Sequence, residues 1–240
     1  MKKRIVSWIK RQVKDAGASG IVLGLSGGID SAVVCALAKE AVGKRNVLAL
    51  FLPCHSNFQD LKDARIVAKK LGVKTKAIDL SKVYDSFLSL LPKSGKLAAA
   101  NLRPRLRMAT LYYFANKLNY LVCGTGNKSE LMAGYFTKYG DGGVDILPIA
   151  DLLKKDVRKL ARELEISEQV IAKPPTAGLW PGQTDESEMG ITYDELDDIL
   201  YRLEHKQKQA AQDKKVSKVK RMITRSGHKR NMPEICKGRG

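Results

Sequence analysis

The chain has no apolar run near the roughly 20 residues that a membrane-spanning helix requires. Its basic N-terminus is interrupted by Ser7, Lys10 and Arg11, so it does not read as a signal peptide. Both absences predict a cytoplasmic protein. Cysteine is sparse: Cys35, Cys54, Cys123 and Cys236 form no CxxC pair and lie mostly in apolar surroundings, which predicts reduced structural thiols. The adjacent Cys54 and His55 point to opposite faces of an extended segment, which argues against zinc there. Acidic residues are outnumbered by basic ones, 25 against 43, for a formal charge of +18. Such an excess implies anionic partners or attraction to polyphosphates. It is concentrated in residues 206–240, where twelve Lys or Arg face only Asp213 and Glu234. That tail reads as a solvated surface, a flap over a phosphorylated substrate, or an arm for nucleic acid.

Two familiar nucleotide loops are also missing. There is no Gly-Lys-Ser/Thr ending of a Walker loop and no fingerprint of three spaced glycines. In their place stands Ser26-Gly27-Gly28-Ile29-Asp30-Ser31, between the apolar run 21–25 and the helix-like run 32–38. Glycines let the backbone turn sharply and approach an anion, and the following helix start offers unpaired N–H groups. Ser26 and Ser31 can add hydroxyl donors. Asp30 fits beside phosphate as the ligand of a hard cation such as Mg²⁺, although an acid also suits a helix start.

The rest of the pattern alternates helix and strand. A helix is predicted over 2–16, strands over 21–25, 46–53 and 73–80, and a helix over 59–71 between the second and third strands. The strands are apolar without alternation, as in a sheet covered on both faces. A helix over 82–91, a turn at 92–95 and a helix starting near Pro104 follow. A fourth strand, 120–123, runs into Gly124-Thr125-Gly126-Asn127-Lys128-Ser129-Glu130, so that Asp30 and Glu130 could share one metal. Residues 134–145 read as a loop, 153–165 as a helix, 173–188 as a mobile surface loop, and 193–203 as a short helix. The fold predicted is α/β, a doubly wound, mainly parallel sheet of about five strands with flanking helices. With 240 residues, 44% of them hydrophobic, we expect one domain over 1–205 and a basic segment over 206–240.

Placed in this order, the segments resemble the ammonia-dependent NAD synthetases, members of the ATP pyrophosphatase group with the SGGxDS loop. The matching stretches are GLSGGIDS at 24–31, NLRPRLRM at 101–108, GTGNKSE at 124–130, GYFTKYGDGG at 134–143, LPIADLLK at 147–154, KPPTAGLWPGQTDE at 173–186, GITYDELDD at 190–198 and HKR at 228–230. The resemblance implies a Rossmann-like fold of the adenine nucleotide alpha hydrolase type. It also implies a ligase that adenylates deamido-NAD with ATP and amidates it with ammonia, giving NAD, AMP and pyrophosphate. By matched position, ATP would be bound by Gly24, Leu25, Ser26, Gly27, Gly28, Ile29, Asp30 and Ser31, with Thr125, Lys154 and Thr176. Deamido-NAD would meet Arg105, Lys138, Asp145, His228 and Lys229, with the segment 206–240 covering that site. Asp30 and Glu130 would hold Mg²⁺; Asp141, at the ammonia site, and Lys154 would be catalytic. A homodimer is implied, with Arg105 and its helix at the contact. Free ammonia is the expected nitrogen donor.

One departure concerns the second strand, where many relatives carry an Arg that contacts ATP and this chain has Phe51. Two competing readings are a tRNA-modifying ATP pyrophosphatase and a non-catalytic nucleic-acid-binding protein. Both would use the charge. The first lacks the cysteine pair of the thiolating types, and the second lacks any recognisable RNA-binding module or interleaved aromatic platform.

Overall fold

The computed structural model describes residues 1–176, 178, 182–207 and 213–238. The N-terminal half alternates as the hydrophobic pattern predicts: α1 (Lys2–Asp15), β1 (Gly20–Gly24), α2 (Ile29–Val42), β2 (Val47–Phe51), α3 (Phe58–Leu71) and β3 (Lys74–Ala77). Then come α4 (Ser81–Ser89), α5 (Lys96–Ala100), α6 (Leu102–Leu118), β4 (Tyr120–Val122), α7 (Lys128–Ala133) and α8 (Lys154–Glu163). The chain continues through α9 (Glu168–Ile171), α10 (Asp185–Met189), α11 (Tyr193–Glu204), α12 (Lys214–Arg225) and α13 (Gly227–Arg230).

The sheet is parallel, in the order β3-β2-β1-β4. Against about five expected, the sheet has four strands among the described residues, with a further isolated bridge between Cys123 and Ile146. Strands added successively on one side of β1 and then, with β4, on the other create a switch in winding direction. A crevice opens there at the carboxyl ends of β1 and β4.

Both faces of the sheet are covered. Ile21, Leu23, Val47 and Ala49 pack with α1, α2, α3 and α8, while Val22, Leu48, Leu50 and Val122 pack with α4 and α6. That two-sided burial is why these strands are apolar without alternation. The edge strand β3 is the exception: Lys74, Thr75, Lys76 and Ala77 are all exposed.

A second apolar cluster joins Leu153 to α7, α11 and α12. It explains the tail. Val216 and Val219 on α12 are buried in this cluster, and the lysines around them face outward. The abundance of charge hides this amphipathic helix, and α5, α9 and α13 also went unread in the sequence. Lys208 and Arg239 of the basic segment, and 177 and 179–181 of the predicted 173–188 loop, lie outside the described residues. That loop is in part helical, as α10, with Met189 in the second cluster. No described helix is long and apolar enough to cross a membrane. The four cysteines are free, three of them buried.

Candidate active site

Above the carboxyl ends of β1, β2 and β4 lies a cavity of about 460 Å³. Its floor is the turn from β1 into α2. Gly27 has φ +85°, and a Cβ there would sit 2.3 Å from the Asp60 carbonyl of α3, so only glycine fits. Two serines hold the turn closed. Ser31 donates to the Gly28 carbonyl at 2.9 Å and accepts from the Ser26 N–H at 3.2 Å, while the Gly28 N–H reaches Ser26 Oγ at 3.3 Å. Gly24, Leu25, Ser26, Gly28, Ile29, Asp30 and Ser31 line the cavity, whereas Gly27 faces α3.

The two acids singled out in the sequence do converge, and an ammonium lies between them. Lys154, 1% exposed at the start of α8, donates to Asp30 Oδ2 at 2.5 Å and to Glu130 Oε1 at 3.2 Å. Asn127 holds the other side. Its amide nitrogen donates to Asp30 Oδ1 at 2.9 Å, and its oxygen caps α7 by accepting the Glu130 N–H at 3.0 Å. Glu130 Oε2 closes the capping box on the Asn127 N–H at 3.2 Å. Burial and the charge of Asp30 push the Glu130 carboxyl up, against the pull of Lys154. Burial works against the Lys154 charge, yet the two acids hold its ammonium above the ordinary lysine value.

The helices carrying these groups are fixed by a residue the sequence reading missed. Asp197, 1% exposed on α11, accepts Ser129 Oγ–H of α7 at 2.5 Å and the Lys155 N–H of α8 at 2.8 Å. Ser129 Oγ in turn accepts the Lys154 N–H at 3.0 Å. An acid in LDD spacing on an amphipathic helix gives no sign of such a partner.

On the β2 side, Lys173 donates to Asp60 Oδ1 at 2.6 Å and to Asp63 Oδ2 at 2.7 Å, tying the root of the 173–188 segment to α3. Gln59 and Gln169 also donate to Asp63, at 2.8 and 3.0 Å. Arg107 of α6 reaches the end of β2, where Nε donates to the Leu52 carbonyl at 3.0 Å and Nη2 to Ser56 Oγ at 3.2 Å. Asp141 accepts the Thr137 N–H at 2.8 Å, and desolvation lifts its carboxyl above the ordinary value although Thr137 and Arg107 oppose the shift. Lys229 of α13 donates to the carbonyls of Gly134 and Phe136, each at 2.8 Å, and burial lowers its pKa. Thr125 and Thr176 also line the cavity.

The remaining predicted substrate contacts stand at the rim or apart. Arg105, exposed, approaches the Lys138 carbonyl at 3.5 Å, and Lys138 Nζ donates to the His228 carbonyl at 2.5 Å, so these three gather beside Lys229. Asp145 is committed elsewhere: it accepts from Tyr112 at 2.8 Å and from the Val122 N–H at 2.7 Å, bracing β4 against α6.

Six carboxylates (Asp30, Asp60, Glu130, Asp141, Asp185 and Glu188) and four basic side chains line the cavity among the described residues. A polyphosphate entering this lining needs added positive charge. No three His, Cys, Asp or Glu gather into a metal-holding group among the described residues. Mg²⁺, however, takes only one or two carboxylates when phosphates supply further oxygens, and Asp30 and Glu130 are hard oxygen donors at the phosphate-type turn. The donor set therefore fits Mg²⁺, provided that Lys154 yields part of its hold.

The chain is similar to known proteins of one family over nearly its whole length. Residues 1–233 match the family model described as NAD synthase. The chain is 49% identical over 239 residues to the NH(3)-dependent NAD(+) synthetase of Archaeoglobus fulgidus, covering 99% of this chain and 96% of that one. It is 47% identical over 238 residues to the enzyme of the same name from Carboxydothermus hydrogenoformans, covering 97% and 95%. Among solved structures, the NMN synthetase from Francisella tularensis superposes with TM-score 0.90 at 38% identity, covering 98% of this chain and 96% of that one. The NH3-dependent NAD synthetase from Campylobacter jejuni, in complex with the nitrate ion, gives TM-score 0.85 at 32% identity, covering 98% and 97%.

Proposed function

The chain belongs to the NAD synthase family, and we propose on that footing that it joins ammonia to the nicotinate carboxylate of deamido-NAD at the expense of ATP. The observation that carries this reading is the meeting of the SGGIDS turn with the Asp30–Lys154–Glu130 cluster in one cavity that Asp141 also lines. The reaction has two steps. A carboxylate oxygen attacks the α-phosphorus, the α–β P–O bond breaks, and pyrophosphate leaves. Ammonia then attacks the acyl carbon, the acyl C–O bond breaks, and AMP leaves with the amide formed.

No side-chain nucleophile is needed, so the protein's part is positioning and charge stabilisation. The N–H groups at the start of α2 are assigned to the phosphates, together with Thr125, Thr176 and Lys154. Magnesium, when held by Asp30 and Glu130, supplies positive charge to the phosphate oxygens. Asp141, a carboxylate in the cavity lining, is assigned the proton that the attacking nitrogen loses. Lys229, with Arg105, Lys138 and His228 at the rim, is assigned to deamido-NAD, with the basic segment covering that end. Asp145 supports the site through β4.

The exposed apolar side chains on α4 to α6 and their connections favour a homodimer: Phe87, Leu90, Leu97 and Tyr113 are 45%, 80%, 65% and 62% exposed. Light scattering on the purified protein tests this, and a monomer at micromolar concentration removes it. The cytoplasm is the compartment we assign.

The decisive assay combines protein, ATP, Mg²⁺, ammonium and deamido-NAD. NAD and AMP are expected in equal amounts; a folded protein that yields neither overturns the reading. A second reading has a mononucleotide acceptor, favoured by the superposition on the Francisella protein named an NMN synthetase. Offering nicotinate mononucleotide beside deamido-NAD separates the two.

A further inference from the structure

Arg105 and Arg107 lie two residues apart on α6, which rotates their directions by roughly 200°. One must therefore face away when the other faces in. Arg105 is exposed, and Arg107 enters the cavity and crosses to the end of β2. There its guanidinium plane is fixed at two points, through Nε on the Leu52 carbonyl and Nη2 on Ser56 Oγ. Among the described residues Nη1 has no hydrogen-bond partner, and the side chain forms no ion pair.

The other basic residues of the cavity show how unusual this is. Lys154 and Lys173 each hold two carboxylates, and Lys229 rests on two carbonyls at the end already assigned to deamido-NAD. Among the described residues, Arg107 alone brings a charge, unmatched by any ion pair, to the β2 side of the cavity. Burial and the like charge of Arg103 make that charge costly, while Asp141 offsets it from beyond ion-pair distance. A partly buried cation held by neutral acceptors alone is a ready partner for an anion. A guanidinium already oriented by neutral acceptors is preorganised for an oxyanion.

We propose that Arg107 is an oxyanion-binding residue of this site, bonding through its remaining edge to a bound substrate, either a phosphoryl group of ATP or the carboxylate of the pyridine nucleotide. The proposal rests on the reading that this cavity takes both substrates. It also gives the β2 end a cation where Phe51 offers none.

The test uses Arg107→Met and Arg107→Lys in the full chain. Binding of α,β-methylene ATP and of deamido-NAD is measured separately by calorimetry, with thermal unfolding alongside. Arg107→Met is expected to weaken one of the two ligands about 10- to 100-fold at an unchanged melting temperature, and Arg107→Lys to restore part of the loss. The ligand affected identifies the anion. Dissociation constants within about twofold of wild type for both ligands overturn the proposal. So does an equal weakening of both accompanied by a lowered melting temperature, which marks a structural role. If the wild type makes no NAD but Arg107→Met still loses the ATP analogue, the reaction assignment fails and the role of Arg107 stands.

Discussion

Lys154 and Arg107 reach one cavity from helices on opposite faces of the sheet, and the protein treats their charges in opposite ways. Lys154 arrives neutralised by two carboxylates, as Lys173 does, whereas Arg107 rests on a carbonyl and a hydroxyl and Lys229 on two carbonyls. The paired cations complete the empty fold. The unpaired ones leave electrostatic work undone until an anion arrives. Truncating a paired cation should therefore cost stability as well as chemistry, while truncating an unpaired one should cost ligand affinity and little else.

The largest effect is expected at Lys154→Met. It leaves Asp30 and Glu130 facing each other without their common cation, so chemical denaturation should register a loss of about 3–5 kcal/mol. Turnover should drop by roughly two to three orders of magnitude. A variant with wild-type stability would place Lys154 with the unpaired group and break the contrast.

A smaller loss, about 1–3 kcal/mol, is expected from Lys173→Met, which strands the buried carboxylate of Asp63. Adding Asp63→Asn should recover part of it, and a double-mutant cycle without coupling would show that the clasp contributes nothing. Asp197→Asn is expected to cost about 1–2 kcal/mol, because the Ser129 hydroxyl and the Lys155 N–H bond to different carboxylate oxygens and the amide turns one of these acceptors into an NH2 donor. Since it also loosens Glu130 against Lys154, its kcat should fall more than its KM rises; the reverse pattern would make Asp197 a packing residue only.

The smallest effect is in the pH dependence, where the two groups should differ in sign. Burial alone would raise Asp63, but Lys173 and Gln59 hold its carboxyl below the ordinary 3.8. Its contribution is present above that value and is lost as pH falls through the folded pKa. Burial opposes the charge of Lys173, yet Asp60 and Asp63 hold it above the ordinary 10.5, so its contribution is present below that value and lost as pH rises through the folded pKa. The stability gap between wild type and Lys173→Met should thus be flat through neutral pH and close at both extremes. For Lys229, burial lowers the pKa from 10.5, so its charge opposes folding below the folded pKa, and that opposition lifts as pH rises towards 10.5. Lys229→Met should accordingly match or exceed wild-type stability at neutral pH and lose the advantage in alkali. A deficit at neutral pH would move Lys229 to the paired group.

Much of the frame was legible in the sequence, because it is written in local patterns. Apolar runs ended by glycine locate β1, the SGGIDS turn and α2, and the glycine-containing stretch after the fourth strand carries Glu130 to the same sheet edge. The partners of these residues were not legible. That Asn127 also grips Asp30, that Asp197 reaches the starts of α7 and α8, and that Lys173 finds Asp60 and Asp63 all depend on contacts between distant segments. On α6 the resemblance singled out Arg105, and the inward course of Arg107 was not legible. Which of them turns inward depends on how the helix is rotated against β1 and β4, and no local spacing encodes that. The count of about five strands came from the fold class; the four strands placed in the sequence are the four of the sheet among the described residues.

The exposed edge strand β3 has a bearing on how copies of this chain meet. An uncovered parallel edge invites another strand to add itself, and such additions have no natural end point. Lys74 and Lys76 line this edge, so an approaching second β3 would bring lysine against lysine on a chain already carrying +18. Open-ended stacking through the sheet is thereby disfavoured. The dimer proposed above would instead use the apolar surface around α6, away from this edge.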